Sequence, residues 1–322
     1  MRLVEATRFG GPEVLKLREA ATPGAGSGQA VIDVSFVPVL FVDTQIRQGA
    51  AQNWFATTPP YIPGSGVAGT VSAVGDGVQR RWVGQHVVAS TERGSYLEQA
   101  VVGADSLIAV PHGLGMAEAA ALFTDGRTAM GLIEMAHIRA DEWVLVLGAG
   151  GGLGCLLVQL ADGDGARVIG AARGHKKLAL AQKLGSEAVV DYSQTDWPKQ
   201  VLDITDGAGP VMVFDGVGGD IGRAAFDVTA RGGQFSAHGA PSGTFTQIDP
   251  QEAERREIAL RGIEHVQFAP TEARRLTEKA LSAAAEGRIT PIMGQTFPLE
   301  CAGDAHRAIE SRQALGKTLL TT

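Results

Sequence analysis

A chain of 322 residues with 44% hydrophobic content is long enough for two domains with separate cores. A formal net charge of −7 argues against a basic surface for nucleic acid. The opening MRLVEATRFGG lacks a signal-length apolar core and no run of about 18 apolar residues follows, so the expectation is a soluble, cytoplasmic protein with no membrane partner.

Residues 1 to about 118 read as mostly β, with short β-branched runs at 14–17, 30–37, 66–74, 84–89 and 96–102 between glycine and proline turns. A helical turn is predicted over residues 41–47, where Asp43 and Arg47, four apart, can pair on one face. Residues 51–61 (AQNWFATTPPY) form a loop carrying aromatics. From Met116 the pattern becomes helical over 116–123 and 128–136, with Thr124, Asp125 and Gly126 as a loop between them in which Asp125 is either an acid or a helix cap.

Trp143–Leu147 (WVLVL) is a buried-strand run that breaks into the glycine stretch 148–154, followed by an apolar helix and a second apolar run at 166–171. Strand, glycine turn, helix and strand within about 30 residues is the setting of a dinucleotide fingerprint. The register is Ala149-x-Gly151-x-x-Gly154, with alanine in the first glycine's place. Gly151 lets the backbone approach a pyrophosphate, and Gly154 lets helix and strand pack closely. The helix beginning near Gly152 and Leu153 then turns its free N–H groups and positive dipole end toward phosphate. A glycine loop without a ligand is the competing explanation, and the flanking strands disfavour it.

A site for NAD places an acid at the end of the second strand to bind the ribose 2′-hydroxyl. Ala172 stands there, and Arg173 and Lys177 follow. A bidentate guanidinium and an ammonium suit a 2′-phosphate, which selects NADPH. Lys176 and Lys177 as solvated helix residues are the plainer alternative. Further strands are predicted at 188–190, 211–215 and 233–237, with helices at 176–184, 197–205 and 221–230 between them, as a doubly wound parallel sheet requires. A charged helix at 271–286, a short strand at 297–299, a helix at 302–311 and a final strand at 317–321 complete the chain, and this last segment is expected to rejoin the N-terminal domain.

Only Cys155 and Cys301 are present, which leaves no disulfide framework and no four-cysteine zinc lobe, and the seven histidines show no helical metal-ligand spacing. Cys155, on the apolar helix, is read as a core residue.

Several stretches together resemble the medium-chain dehydrogenase/reductase superfamily, in particular its zinc-independent NADPH:quinone oxidoreductase branch, which includes the zeta-crystallins. They are residues 41–49 (FVDTQIRQG), 60–74 (PYIPGSGVAGTVSAV), 119–130 (AAALFTDGRTAM), 141–160, 166–192, 213–219 (VFDGVGG) and 316–320 (GKTLL). The resemblance spans essentially the whole chain. It implies an α/β protein in which a GroES-like, mostly-β catalytic domain, residues 1–118 and 269–322, is split around a Rossmann-type cofactor domain, residues 119–268. It further implies NADPH as hydride donor, a homodimer, and a planar quinone or α,β-unsaturated carbonyl compound as acceptor.

Carried over residue by residue, Gly151, Gly152 and Leu153 meet the pyrophosphate, and Lys177 and Tyr192 hold the 2′-phosphate end beside Arg173. Thr128 lies near the nicotinamide. Gly216 and residues 236–243 (SAHGAPSG), including Ser236 and Gly239, line the far side of the cofactor. Two departures stand out. Gly64, Ser65 and Gly66 occupy the region where zinc-dependent members carry Gly-His-Glu, and Leu40 replaces an asparagine common in the zinc-free branch, removing a donor that can orient a carbonyl.

Hydride transfer needs a group that stabilises developing oxyanion charge. Without zinc, Tyr61 and Thr124 are the polar candidates, and Trp54 and Phe55 can stack on a planar acceptor. Each has a packing role as its alternative. The leading reading is an NADPH-dependent reductase of quinones or α,β-unsaturated carbonyls. An enoyl-thioester reductase of a biosynthetic pathway and a low-turnover NADPH-binding protein are the alternatives.

Overall fold

In the computed structural model, which describes residues 1–52 and 55–322, the chain divides into two compact units. The first comprises Met1–Thr124, Thr277–Ala285 and Pro291–Thr322, and the second Asp125–Leu276 and Glu286–Thr290.

The first unit is built on strands. β1 (Arg2–Ala6) and β2 (Leu15–Glu19) form an antiparallel pair. β3 (Gln29–Val39) is followed by helix α1 (Phe41–Gln48) and by β4 (Gly66–Val74), β5 (His86–Ser90), β6 (Gln99–Gly103) and β7 (Ile108–Ala109). Near the C-terminus lie β14 (Met293–Pro298), α9 (Ala302–Glu310) and β15 (Lys317–Thr321). The larger sheet runs β14-β15-β3-β4-β5-β7, with β6 also paired to β3. The final strand β15 pairs antiparallel with β3, so the end of the chain does rejoin the N-terminal sheet. Val37, Val67, Val71, Val87, Leu107 and Leu320 are among the buried residues of its core. Each such side chain contributes roughly 1.5–3 kcal/mol when fully buried.

The second unit alternates strand and helix: β8 (Trp143–Leu147), α3 (Gly152–Gly163), β9 (Arg167–Ala172), α4 (His175–Lys183), β10 (Ala188–Asp191), α5 (Trp197–Ile204), β11 (Met212–Asp215), α6 (Gly219–Asp227), β12 (Gln234–Ala237), α7 (Pro250–Arg255) and β13 (Ala259–Arg261). All six strands are parallel, in the order β10-β9-β8-β11-β12-β13. Strands β8 and β9 are buried at nearly every residue, as expected of a parallel sheet covered by helices on both faces. The strand order reverses between β8 and β11, and the carboxyl ends of these strands flank the crevice where such sheets bind ligands.

Several expectations are corrected. Helix α2 (Met116–Ala136) is one continuous element of 21 residues, so the predicted loop at Thr124–Gly126 does not exist and Asp125 lies in a helix interior instead of capping one. A glycine inside a helix costs only about 1 kcal/mol, which the packing of the surrounding apolar residues outweighs. Arg47 pairs with Glu310, while Asp43 accepts from the Leu40 amide at 2.8 Å, so the anticipated Asp43–Arg47 pair is not formed. The strand predicted at 297–299 begins four residues earlier, at Met293, and ends at Pro298. Helix α7 and the short edge strand β13 were not anticipated; β13 exposes two of its three residues and carries no burial pattern to detect. Helix α8 (Pro270–Ala285) follows the prediction closely.

Candidate functional site

Strand β8 ends at Leu147, and Gly148 turns the chain with φ +73, a conformation that favours glycine. The Ala149 amide then donates to Ala171 O at 3.0 Å and ties the turn to the neighbouring strand. Gly151 is extended and stands at the N-cap of α3 with no side chain capping it. The amides of Gly152 and Leu153, in the first helical turn, have no intrahelical acceptor, and the helix dipole favours an anion beside them. A Cβ on Gly154 would sit 2.2 Å from Gly148 O, so the close approach of helix and turn depends on this glycine. A Cβ on Gly151 would meet only Gly148 O, at 3.3 Å, leaving the approach to the helix N-terminus open. The cradle therefore fits a pyrophosphate.

The residues assigned to the 2′-phosphate gather at one edge of this turn. Ala172, at the end of β9, is fully buried and offers no carboxylate, and Arg173 beyond it is exposed. The stem of Lys177 lies against the glycine turn: a Cβ on Gly150 would be 2.6 Å from the Lys177 Cβ. The Tyr192 amide donates to Ala172 O at 3.3 Å, which brings Tyr192 to the same strand end. Asp191 was not singled out in the sequence, yet it fastens this edge by accepting from the Gly174 amide at 3.1 Å and the Ser193 amide at 2.9 Å. Burial pushes its carboxyl up, but the bonds from Ser193 and Gly174 and the charge of Arg173 outweigh that and hold it below the usual carboxylate range.

At the far side, β11 and β12 end in two loops whose backbones touch. The Gly239 amide donates to Asp215 O at 3.1 Å, and a Cβ on Gly239 would lie 2.5 Å from Gly216 O. Asp215 is fully buried and accepts from the amides of Val217 and Gly218 at 2.9 and 2.8 Å and from the Thr246 hydroxyl. Burial raises its pKa despite these bonds. Ser236 is buried on β12, 3.3 Å from His238 Nδ1. Thr128 lies partly buried on α2, in the same unit as these loops. Asp215 and Thr246 also went unremarked in the sequence, although the VFDG stretch was noted. Cys155 is buried behind the turn, where burial pushes its thiol up to about 12, as suits an inert core residue.

Tyr61 and Thr124 belong to the first unit. Both hydroxyls are buried without a hydrogen-bond partner among the described residues, so they are not bonded to each other. Burial, followed by the charge of Asp43, pushes the Tyr61 phenol up to about 12, and the charge of Arg47 opposes this. Behind Tyr61 lies a polar cluster in which the Tyr96 hydroxyl is 2.9 Å from His306 Nε2 and 3.4 Å from Asp43 Oδ2. Burial raises Asp43 to about 6 against the Leu40 amide, the Lys317 charge and the Tyr96 hydroxyl. Phe55 is exposed, while Trp54 lies outside the described residues. Among the described residues no group of three or more His, Cys, Asp or Glu is placed to hold a metal ion. Nor is any helix among them long and apolar enough to cross a membrane.

Comparison with known proteins covers both units. Residues 26–128 match the alcohol dehydrogenase GroES-like domain family, and residues 152–281 match the zinc-binding dehydrogenase family. Quinone oxidoreductase 1 of Escherichia coli is 30% identical over 98% of this chain and 98% of its own. A 2-haloacrylate reductase from Burkholderia is 29% identical over 97% and 96% of the two chains. The crystal structure of Escherichia coli quinone oxidoreductase complexed with NADPH superposes with a TM-score of 0.92 at 28% identity, covering 100% of both chains. Overlap of this extent, through the β-rich unit and the nucleotide-binding unit alike, establishes that the chain belongs to the quinone oxidoreductase family of the medium-chain dehydrogenase/reductase superfamily.

Proposed function

We propose that this protein is an NADPH-dependent reductase that transfers a hydride to a quinone or an α,β-unsaturated carbonyl acceptor, and that it does so without zinc. The observation that carries the cofactor is the uncapped N-terminus of α3 beside a strand end where buried Ala172 is followed by Arg173 and Lys177. The acceptor class rests on the relatives, which are named as reductases of quinones and of a haloacrylate.

The bound nicotinamide supplies the hydride. The amides of Gly152 and Leu153 bind the pyrophosphate, with Ala149, Gly151 and Gly154 shaping their approach. The Arg173 fork and the Lys177 ammonium bind the 2′-phosphate, with Tyr192 beside them. Thr128, Gly216, Ser236 and Gly239 line the nicotinamide half. Tyr61 and Thr124 are the hydroxyls that orient the acceptor carbonyl and offset its developing negative charge, and their unpartnered hydroxyl groups support that role.

Zinc independence is supported by Gly64, Ser65 and Gly66 at the position of a ligand motif. We read residues 1–118 and 269–322 as the catalytic domain and 119–268 as the cofactor domain of a cytoplasmic homodimer with neither nucleic acid nor membrane as partner.

Steady-state NADPH oxidation with quinones, simple enones, 2-haloacrylates and enoyl thioesters tests the assignment. Turnover with the first three groups is the expected result. Turnover with thioesters alone would replace it by a biosynthetic enoyl reductase. Micromolar NADPH binding with no oxidation by any acceptor would reduce it to a cofactor-binding protein.

A further inference from the structure

Helix α2 carries no polar side chain from Ala119 to Ile133 except at Thr124, Asp125, Arg127 and Thr128. From Ala119 to Leu132 the same four residues keep part of their surface, while all the others are buried. A helix face turned outward would continue its polar stripe on the turns before and after. Here those turns are closed, by buried Ala120 and Ala121 on one side and buried Gly131 and Leu132 on the other. The four polar residues therefore form a window one turn tall in a helix that is otherwise core.

The order of residues around this window follows from helix geometry. At 3.6 residues per turn, Thr124 and Thr128 lie about 40° apart, and Arg127 and Asp125 flank them about 160° from each other. The Asp125 flank is the one nearer the glycine turn: its charge acts on the Cys155 thiol, which donates to Ala149 O at 3.4 Å. Arg127 stands on the opposite flank, away from the pyrophosphate cradle. Packing does not call for an arginine there, since a leucine or methionine fills the same space without a charge to desolvate. Burial lowers the Arg127 pKa from 12.5, against the charge of Asp125. A partly desolvated guanidinium is suited to holding two oxygens of one anion in a fork. In the reading above the phosphates of the dinucleotide go to the α3 N-terminus and to Arg173 and Lys177, which leaves the acceptor as the anion.

We infer that Arg127 binds the carboxylate of the acceptor, and that the preferred acceptor is a small α,β-unsaturated acid. This rests on the reductase reading above and narrows its acceptor to one chemical class. A hydride from NADPH adds at the β carbon, the double-bond electrons move toward the carboxylate, and a proton from water adds at the α carbon. The alkene is reduced to the saturated acid and NADPH is oxidised to NADP+. An anionic acceptor resists this step because the charge on its oxygens grows, and a guanidinium fork offsets that growth.

Steady-state kinetics test this by comparing 2-chloroacrylate with 2-chloroacrylamide, an uncharged acceptor of nearly the same shape. The proteins are wild type, Arg127→Met and Arg127→Lys. The ratio of kcat/KM for the acid to that for the amide should fall about ten- to hundredfold in R127M, the loss of a charge-assisted pair. R127K, which keeps the charge, should recover part of it. Calorimetry on the protein loaded with NADP+ gives a readout without turnover: 2-chloropropionate, the saturated product, should bind R127M at least about tenfold more weakly than wild type. An equal fall for acid and amide in both variants would make Arg127 a structural residue. Product binding that R127M leaves unaltered would overturn the contact. Wild type that reduces quinones but not the acid would overturn this inference alone. No NADPH oxidation with any acceptor and no product binding would overturn the reductase reading with it.

Discussion

In the proposed function, Arg173 and Lys177 carry the discrimination between the two nicotinamide dinucleotides. Replacing both by alanine is expected to weaken NADPH binding at least tenfold per residue, since charge-assisted contacts contribute roughly 1.5–3 kcal/mol each. NADH affinity should change little, and equal weakening of the two cofactors by calorimetry would mark the cations as structural. The residue types and their distance from the glycine turn were legible in the sequence. That the Lys177 stem packs on Gly150 was not, because it depends on how α4 lies against the turn. A second residue-scale prediction concerns pH. Burial, reinforced by the charge of Arg47, lowers His306 from 6.5 to about 3, and burial lowers His238 to about 4, so both are neutral in the fold. A depressed histidine adds stability that is fully present above pH 6.5 and is lost as pH falls toward its folded value. Asp43 acts in the opposite sense: with its pKa raised from 3.8 to about 6, the fold takes up a proton early, and its contribution is lost as pH rises through 6. Two histidines outweigh one carboxyl, so stability should fall between pH 6.5 and 4. For His306 the loss is on the order of 2 kcal/mol by pH 5. Denaturant titrations of His306→Gln across this range should show a flatter profile, and an unchanged slope would count against the buried neutral ring.

At the scale of elements, the contact between α3 and the turn before it is the most sensitive to substitution. Gly154→Ala places a methyl group against Gly148 O, a backbone atom that moves only with the whole turn. The expected cost is about 1–3 kcal/mol, read as a lower melting temperature without cofactor and a larger loss of NADPH affinity than of stability alone. A melting curve identical to wild type would show that the turn relaxes freely. The strand–turn–helix–strand unit was readable because three local signals agree there: a buried apolar run, glycines at fixed offsets and a helical repeat. Helix α2 was misread because Gly126 and the polar residues beside it imitate a loop, whereas tertiary packing overrides local preference. The latch of Asp215 on Thr246 was invisible for another reason. It joins residues 31 apart in sequence through loops whose course no periodicity reports.

For the whole molecule, the division into a β-rich and a doubly wound unit, and the return of the C-terminal strand to the first, were both legible from the order of elements. Which hydroxyl meets the acceptor was not, because pocket shape is set by loops drawn from distant parts of the chain. A chain truncated after Thr290 would lose β14 and β15 and leave residues 36–39 of β3 without their β15 partner, while β6 still pairs with residues 29–33. Exposed edges of this kind template aggregation. The truncated chain is therefore expected to form insoluble material, and a soluble monomer with native near-ultraviolet dichroism would contradict the role assigned to β15. The pairing of β3 with β15 also has a temporal meaning during synthesis. Residues 125–276 form most of one unit as an uninterrupted stretch and can settle while translation continues. The first 124 residues emerge earlier yet must wait, partly assembled, for a strand that follows the second unit in the chain.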